Sequence, residues 1–373
     1  MAENAIQYGV ERPTDLADKN GATVRPNAGT SLDDSKAEQR GEKGELIADW
    51  QKRNGIDRSK HIKIVRISHM RYQHSDVAQI TNFLKDFGMH IVKQSGDKTW
   101  WGGYGPDQYV YYCQQGAEKK FLGASFLVES YEDLEKAAKL SGAAKIEEMT
   151  DAPGGGHIVT VTDPSGFPVN LIYGQASKSN SNVPEKIIQN YEVDKPRVRK
   201  FHRFTPGPAA VHKLGHFGYM VQDFKSQLEF YSRNFNLVPT DFLDVAAEDG
   251  SRKEVMVFMH VDRGQDPTDH HTLFFGQNAT THVHHASFEV HDFDTQQLGH
   301  QWLAKQKYTP VWGVGRHILG SQIFDYWWDT SGNMVEHYSD GDLTNEDTPI
   351  AWSPAEEEAL AVWGPELPAW FLK

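Results

Sequence analysis

The chain repeats itself, and a repeat of this length confines it to a tandem of like modules. Residues 163–170 read Asp-Pro-Ser-Gly-Phe-Pro-Val-Asn, and residues 329–336, 166 positions later, read Asp-Thr-Ser-Gly-Asn-Met-Val-Glu. Each is a turn followed by a short apolar strand, with Glu336 standing where the first copy has Asn170. The entry strands repeat too. Ser68-His69 and Gly215-His216 are each expected to open a strand. Seven residues beyond each histidine comes an Asp (Asp76, Asp223), and fourteen beyond it a Phe (Phe83, Phe230). Two copies that diverge at residues able to hold a metal point to a function carried by one of them.

Hydrophobic periodicity fills in the modules. In the first copy strands are expected at 63–70, 99–103, 108–114, 123–129, 156–162 and 167–173, and helices at 77–87 and 131–141. In the second, strands are expected at 213–221, 254–260, 272–276, 284–290, 321–328 and 333–338, and helices at 224–234 and 294–305. The fold class is α+β, with paired βαβββ units forming a curved mixed sheet in each module. The expected division is a polar arm at 1–60, a first module at 61–175, a linker at 176–210, a second module at 211–342 and an aromatic tail at 343–373. The arm has helical spacing only near 45–52, at Leu46, Ile47 and Trp50, and reads either as an extended segment wrapping the body or a partner or as a disordered tail. The tail carries Trp352, Trp363, Trp370 and Phe371 and is expected to pack down.

The net charge of −13 argues against a nucleic-acid partner and against an anionic membrane face. A single cysteine, Cys113, excludes a disulfide framework and a cysteine-based zinc site. No run of signal-peptide or membrane-spanning type is present, so a soluble cytoplasmic protein is expected. The 18 histidines, several in pairs, are the unusual feature.

Strand parity sorts those pairs, because alternate side chains face opposite sides of a sheet. Ala286, Phe288 and Val290 form a core face, which turns His285 to the other side with Ser287. Val335 shares a face with His337, so Glu336 faces opposite. Phe217, Tyr219 and Val221 form the core set of their strand, leaving His216 on the open face. Of His284/His285 and Glu336/His337, one member each can converge. Two imidazoles and one carboxylate from three strands leave half of a metal's coordination sphere open, an arrangement suited to non-haem Fe(II) working with O2, while the same donors also accept Mn(II) and Zn(II), so ligand type alone does not fix the ion.

With these residues in place the chain resembles the vicinal oxygen chelate superfamily. Within it the chain is similar to the two-module type I extradiol (catechol meta-cleaving) dioxygenases. The resemblance spans about residues 63–342 and is densest over 315–342, Gly-Arg-His-Ile-Leu-Gly-Ser-Gln-Ile-Phe-Asp-Tyr-Trp-Trp-Asp-Thr-Ser-Gly-Asn-Met-Val-Glu-His-Tyr-Ser-Asp-Gly-Asp. The family's iron ligands then fall on His216, His285 and Glu336. Its catalytic histidine falls on His271 in Asp269-His270-His271-Thr272, in preference to His270. A further His and Tyr, nine residues apart, fall on His317 and Tyr326, with Glu336 ten residues beyond. Some relatives carry Asn-Asp two and three residues after that His, where this chain has Leu319 and Gly320, so the substrate's surroundings differ. With Gly123 and Asn170 the first module keeps only His69, in line with the family's metal-free first module.

The resemblance implies an enzyme of aromatic hydrocarbon catabolism. Its cofactor would be Fe(II), with Mn(II) the alternative, and its partners a small catecholic substrate and O2. It also implies a homo-oligomer. His271 would handle the substrate proton, and His317 and Tyr326 would orient the substrate hydroxyl. Two alternatives compete: a metal-dependent lyase, isomerase or epimerase of the same superfamily, and a non-catalytic metabolite-binding protein. The first often draws ligands from both modules, which Asn170 and Gly123 disfavour.

Overall fold

The structure is a computed structural model that describes residues 16–17, 23–24, 44–178, 183–247, 250–355 and 360–371. It comprises two units, Met1–Arg40 and Gly41–Lys373. In the first, β1 (Leu16–Ala17) pairs antiparallel with β2 (Thr23–Val24). Most of the expected arm lies outside the described residues. In the second unit, α1 (Ile47–Arg53) buries Ile47 and Trp50, while Leu46 is exposed.

The first sheet is built from β3 (Ile64–His74), β4 (His90–Ser95), β5 (Lys98–Gly102), β6 (Tyr111–Gln115), β7 (Lys120–Val128), β8 (Glu147–Glu148), β9 (His157–Thr162) and β10 (Pro168–Tyr173). Helices α2 (Val77–Asp86) and α3 (Tyr131–Ala137) belong to it. The second sheet follows with β11 (Val211–Val221), β12 (Leu237–Ala246), β13 (Arg252–Val261), β15 (Leu273–Gln277), β16 (His282–Val290), β17 (Pro310–His317), β18 (Ile323–Trp328) and β19 (Met334–Ser339). It carries α4 (Phe224–Asn234) and α5 (Phe293–Lys305). A short pair, β14 (Thr268–Asp269) with β20 (Leu343–Thr344), stands apart from both sheets.

Strand order is β4-β5-β6-β3-β7-β10-β9-β8 in the first sheet. The second repeats it as β12-β13-β15-β11-β16-β19-β18-β17, flanked by two strands of the tail, β21 (Ala351–Pro354) beside β12 and β22 (Ala361–Trp363) beside β17. Each sheet is mixed and curved, and the architecture is α+β with two tandem βαβββ-pair modules. The tail therefore protects both edges of the second sheet, where open backbone groups would otherwise face water.

The repeated residues have local physical jobs. Asp76 and Asp223 are helix N-caps, accepting from Gln79 N and Ser226 N at 3.0 Å each. Asp163 Oδ1 accepts from Ser165 N and Phe167 N at 3.0 and 2.9 Å, and Asp329 Oδ1 from Ser331 N and Asn333 N at 2.8 Å each. The turns close through Gly166 and Gly332 at φ 87° and 73°. One continuous core, including Phe83, Phe126, Phe217 and Phe288, draws on both sheets.

Of the strands that fall outside those expected, the three longest have a sequence reason. β4 is largely exposed, β12 contains Pro239 at a register shift, and β17 contains Gly313 and Gly315 at another. None shows the alternation that signals a strand. His69 and His216 sit in the middle of 11-residue strands, not at their openings. Helix α3 stops at Ala137, and β18 begins only after Ser321, whose φ is 46°. No helix among the described residues is long and apolar enough to cross a membrane.

Candidate metal centre

Three adjacent strands, β11, β16 and β19, bring His216, His285 and Glu336 to one point. Ser287 is the ladder partner of both His216 and Glu336, and Gly218 that of His285. His216 Nε2 stands 3.2 Å, and His285 Nε2 3.4 Å, from Glu336 Oε2. One donor atom from each residue lies within 4.8 Å of the others, and all three side chains are buried.

Both Glu336 oxygens and His285 Nε2 are buried without a hydrogen-bond partner. Among the described residues, Glu336 faces these two imidazoles and forms no salt bridge with a Lys or Arg. A buried carboxylate in that state costs several kcal/mol unless a cation meets it, by the order-of-magnitude penalty for desolvated charge. Donors sharing one ion, each about 2.1 Å from it, stand roughly 3 Å apart. The residues fit a divalent cation.

The site opens on a cavity lined by His216, His285, His271, His317 and Tyr326, with Glu336 fully buried beneath. All six candidates from the sequence thus come together. The His271 ring lies 4.0 Å from the His216 ring, and the Tyr326 ring 5.1 Å from that of His285. The rest of the wall is mostly apolar, with Met256, Phe258, Phe274, Trp312, Leu319 and Phe371, and adds the polar Gln322 and His284.

Hydrogen bonds fix the imidazoles from behind. A neutral imidazole that donates from one nitrogen accepts at the other. His284 Nε2 lies 2.7 Å from the Phe371 carbonyl, so it donates there and accepts at Nδ1 from His285 Nδ1, also at 2.7 Å. That leaves His285 Nε2 with its lone pair facing Glu336. His317 Nδ1 likewise donates to the Leu360 carbonyl at 2.8 Å, and its Nε2 accepts the Tyr326 hydroxyl at 3.0 Å. Burial holds His271 and His285 well below the usual histidine range, and neighbouring imidazoles add to it. Burial also lowers His317 and, with the Glu336 carboxylate, raises Tyr326 well above its usual value. At neutral pH these imidazoles are uncharged, the form able to bind a metal or take a proton.

Parity reasoning missed His284, which lines the same cavity as His285. Gly218 pairs with His285 and Tyr219 with Val283, so His284 is the extra residue of a β-bulge. A bulge lets both neighbours reach one side; the adjacent pair is the visible signal, and strand parity holds only for an unbroken ladder. His337 does face away, its ring stacked 3.7 Å from Phe87. The tail packs down, and part of it reaches the site. Leu360 and Phe371 reach the cavity, whereas Trp352 stacks on Phe242 and Trp370 on Trp328.

The Glyoxalase/Bleomycin resistance protein/Dioxygenase superfamily matches residues 213–337. Metapyrocatechase 2 of Cupriavidus necator is 26% identical over 324 residues, covering 82% of this chain and 91% of that protein. Homoprotocatechuate 2,3-dioxygenase from Brevibacterium fuscum, solved with 3,4-dihydroxyphenylacetate, superposes with a TM-score of 0.68 at 18% identity, over 85% of this chain and 94% of the other. A Mn(II)-bound glyoxalase from Novosphingobium aromaticivorans gives 0.64 at 17% identity, over 82% and 94%. At these identities the two structures speak for the fold. Residues 213–337 are thus similar to the glyoxalase/bleomycin resistance protein/dioxygenase superfamily, and the two-module fold of the chain is similar to that of homoprotocatechuate 2,3-dioxygenase.

Proposed function

We propose that the protein is an Fe(II)-dependent extradiol dioxygenase. It opens the ring of a catechol-type diol beside the two hydroxyls, with both atoms of O2 entering the product. The observation that carries this reading is the buried, partnerless carboxylate of Glu336, 3.2 and 3.4 Å from two imidazole nitrogens and beneath a cavity with largely apolar walls. His216, His285 and Glu336 would hold the metal. Fe(II) bound there supplies chelation of the diol, a site for O2 and electron transfer between the two. Mn(II) suits the same donors.

The remaining steps belong to the chain. His271, neutral at pH 7, takes a proton from the diol hydroxyl as it binds and returns it as the ring opens. The Tyr326 hydroxyl donates its hydrogen bond to His317 Nε2, which leaves the phenol oxygen's lone pairs for the second hydroxyl. The apolar walls exclude water and receive a substituent or a second ring. Among the described residues no Lys or Arg lines the cavity, so a carboxylated side chain finds no counter-charge there. The substrate class is a neutral, substituted or polycyclic catechol. The resemblance extends the proposal to a cytoplasmic homo-oligomer, which sedimentation of the purified protein checks for its assembly.

The test is oxygen uptake by protein loaded anaerobically with Fe(II), across a panel of mono- and polycyclic diols. One O2 consumed per diol, with a yellow ring-opened product, supports the reading. Turnover with Zn(II) and no oxygen consumed would instead establish a lyase or isomerase.

A further inference from the structure

One buried carboxylate beside the cavity has no role in the steps above. Asp241, on β12, is 6% exposed, and its Oδ2 lies 2.6 Å from His270 Nε2. His270 Nδ1 lies 3.1 Å from His271 Nδ1, and His271 lines the cavity against His216. Three side chains thus form one line of hydrogen bonds from β12 to the site.

His270 is held in place on every side. Its N–H donates to the Asp342 carbonyl at 3.0 Å, and its own carbonyl accepts from Thr240 Oγ1 at 2.7 Å. Gly320, at φ +75°, packs against its ring, and a Cβ there would come within 2.8 Å of His270 Nδ1. The departure noted in the sequence, Gly320 in place of a polar residue, therefore makes room for this imidazole.

The first sheet lacks the arrangement. Met70 N bonds the Val110 carbonyl as Phe217 N bonds that of Thr272, which makes Tyr109 the counterpart of His271 and Gln108 that of His270. Gln108 turns away to the Ala176 carbonyl at 2.7 Å. A buried acid–imidazole pair is not needed to stabilise such a strand, because apolar residues of like volume serve as well or better. It occurs in the sheet that has the metal-type cluster.

We infer that Asp241, acting through His270, is a positioning residue that sets the tautomer of His271. A carboxylate only accepts, so His270 Nε2 carries the proton that bonds it. With that single proton on its ring, His270 accepts at Nδ1, and His271 then donates from its own Nδ1. The remaining nitrogen of His271, Nε2, keeps its lone pair for a proton in the cavity. The tautomer itself is independent of the proposed reaction; its use as the proton acceptor rests on that reading.

The tautomer is read directly by long-range 1H–15N NMR of histidine-labelled, metal-free protein at pH 8, with His271→Gln for assignment. The expected wild-type signature is a protonated Nδ1 and a bare Nε2 at His271. Asp241→Asn and His270→Phe, each checked for an unchanged fold by circular dichroism, should move the proton toward Nε2. With Fe(II) loaded, both should keep their iron, hold KM within about 3-fold, and lose about 100-fold in kcat, the scale of a misplaced proton acceptor. A His271 protonated at Nε2 in the wild type, or a tautomer unmoved in both variants, overturns the inference. If no diol supports oxygen uptake, the functional reading fails and the tautomer alone decides this one.

Discussion

The two sheets share a register, and the contrast between their matched positions shows how little separates a packed strand crossing from a metal centre. In the second, His216 pairs with Ser287, Gly218 with His285, and Ser287 with Glu336. In the first, the same ladder reads His69 with Ser125, Arg71 with Gly123, and Ser125 with Asn170. Gly123 thus replaces His285, Asn170 replaces Glu336, and Tyr109 replaces His271. His69 keeps its place but meets Ser68 Oγ at 3.1 Å and the Tyr109 ring at 4.3 Å. Asn170 donates to the Leu122 and Ala124 carbonyls at 2.9 and 3.1 Å and accepts from Thr160 at 2.7 Å. An amide satisfies those carbonyls; a carboxylate cannot donate to them. Gly123 sits at φ +94°, where a Cβ would collide with the Pro168 carbonyl. The backbone there excludes a histidine.

The largest effect expected from this contrast is the loss of the centre itself. Glu336→Gln or His285→Ala should release the metal on dialysis and lower ring cleavage by at least about 1,000-fold, since the metal does the oxygen chemistry. Elemental analysis and oxygen uptake measure the two together, and activity surviving either change would remove that residue from the ligand set. Asn170→Glu tests the reverse graft. It should gain no metal, because Gly123 offers no imidazole, and should cost about 3 kcal/mol in urea unfolding for a buried, unpaired charge.

Acid sensitivity should be shared by both sheets. Burial lowers His74 in the first and His260 in the second to about 4. The unfolded chain titrates near 6.5 and binds more protons below that pH, so stability is fully present above it and falls as pH drops toward 4. Between pH 6.5 and 5.5 each histidine should remove about 1 kcal/mol. His74→Gln should flatten its share of that slope in thermal melts at stepped pH. The smallest effect belongs to Tyr326→Phe, which keeps the ring packing but loses the hydroxyl on His317. It should lower kcat by about 10-fold with metal content unchanged, a loss on the scale of one hydrogen bond.

The residues that were legible in the sequence are those whose neighbours along the strand or helix determine their direction. Ala286 and Phe288 are core, and His285 faces the site, because strand geometry alternates. Helix α4 runs over Phe224–Asn234 as its periodicity and the capping Asp223 require. The illegible parts depend on distant backbone. The bulge that turns His284 inward has no local signal, and the carbonyls of Leu360 and Phe371 reach His317 and His284 across 43 and 87 residues of chain. Asp241 and His270 are 29 residues apart, and β12, which carries Asp241, was hidden by Pro239. Their roles follow from the fold, not from any motif.

The most direct test is crystallography of protein loaded anaerobically with Fe(II), with anomalous data collected at the iron edge. The account predicts one strong peak bound by His216 Nε2, His285 Nε2 and a Glu336 oxygen, and no peak beside His69 and Asn170. Iron at the first-sheet position, or side chains at the second that stay apart with no peak between them, would contradict it.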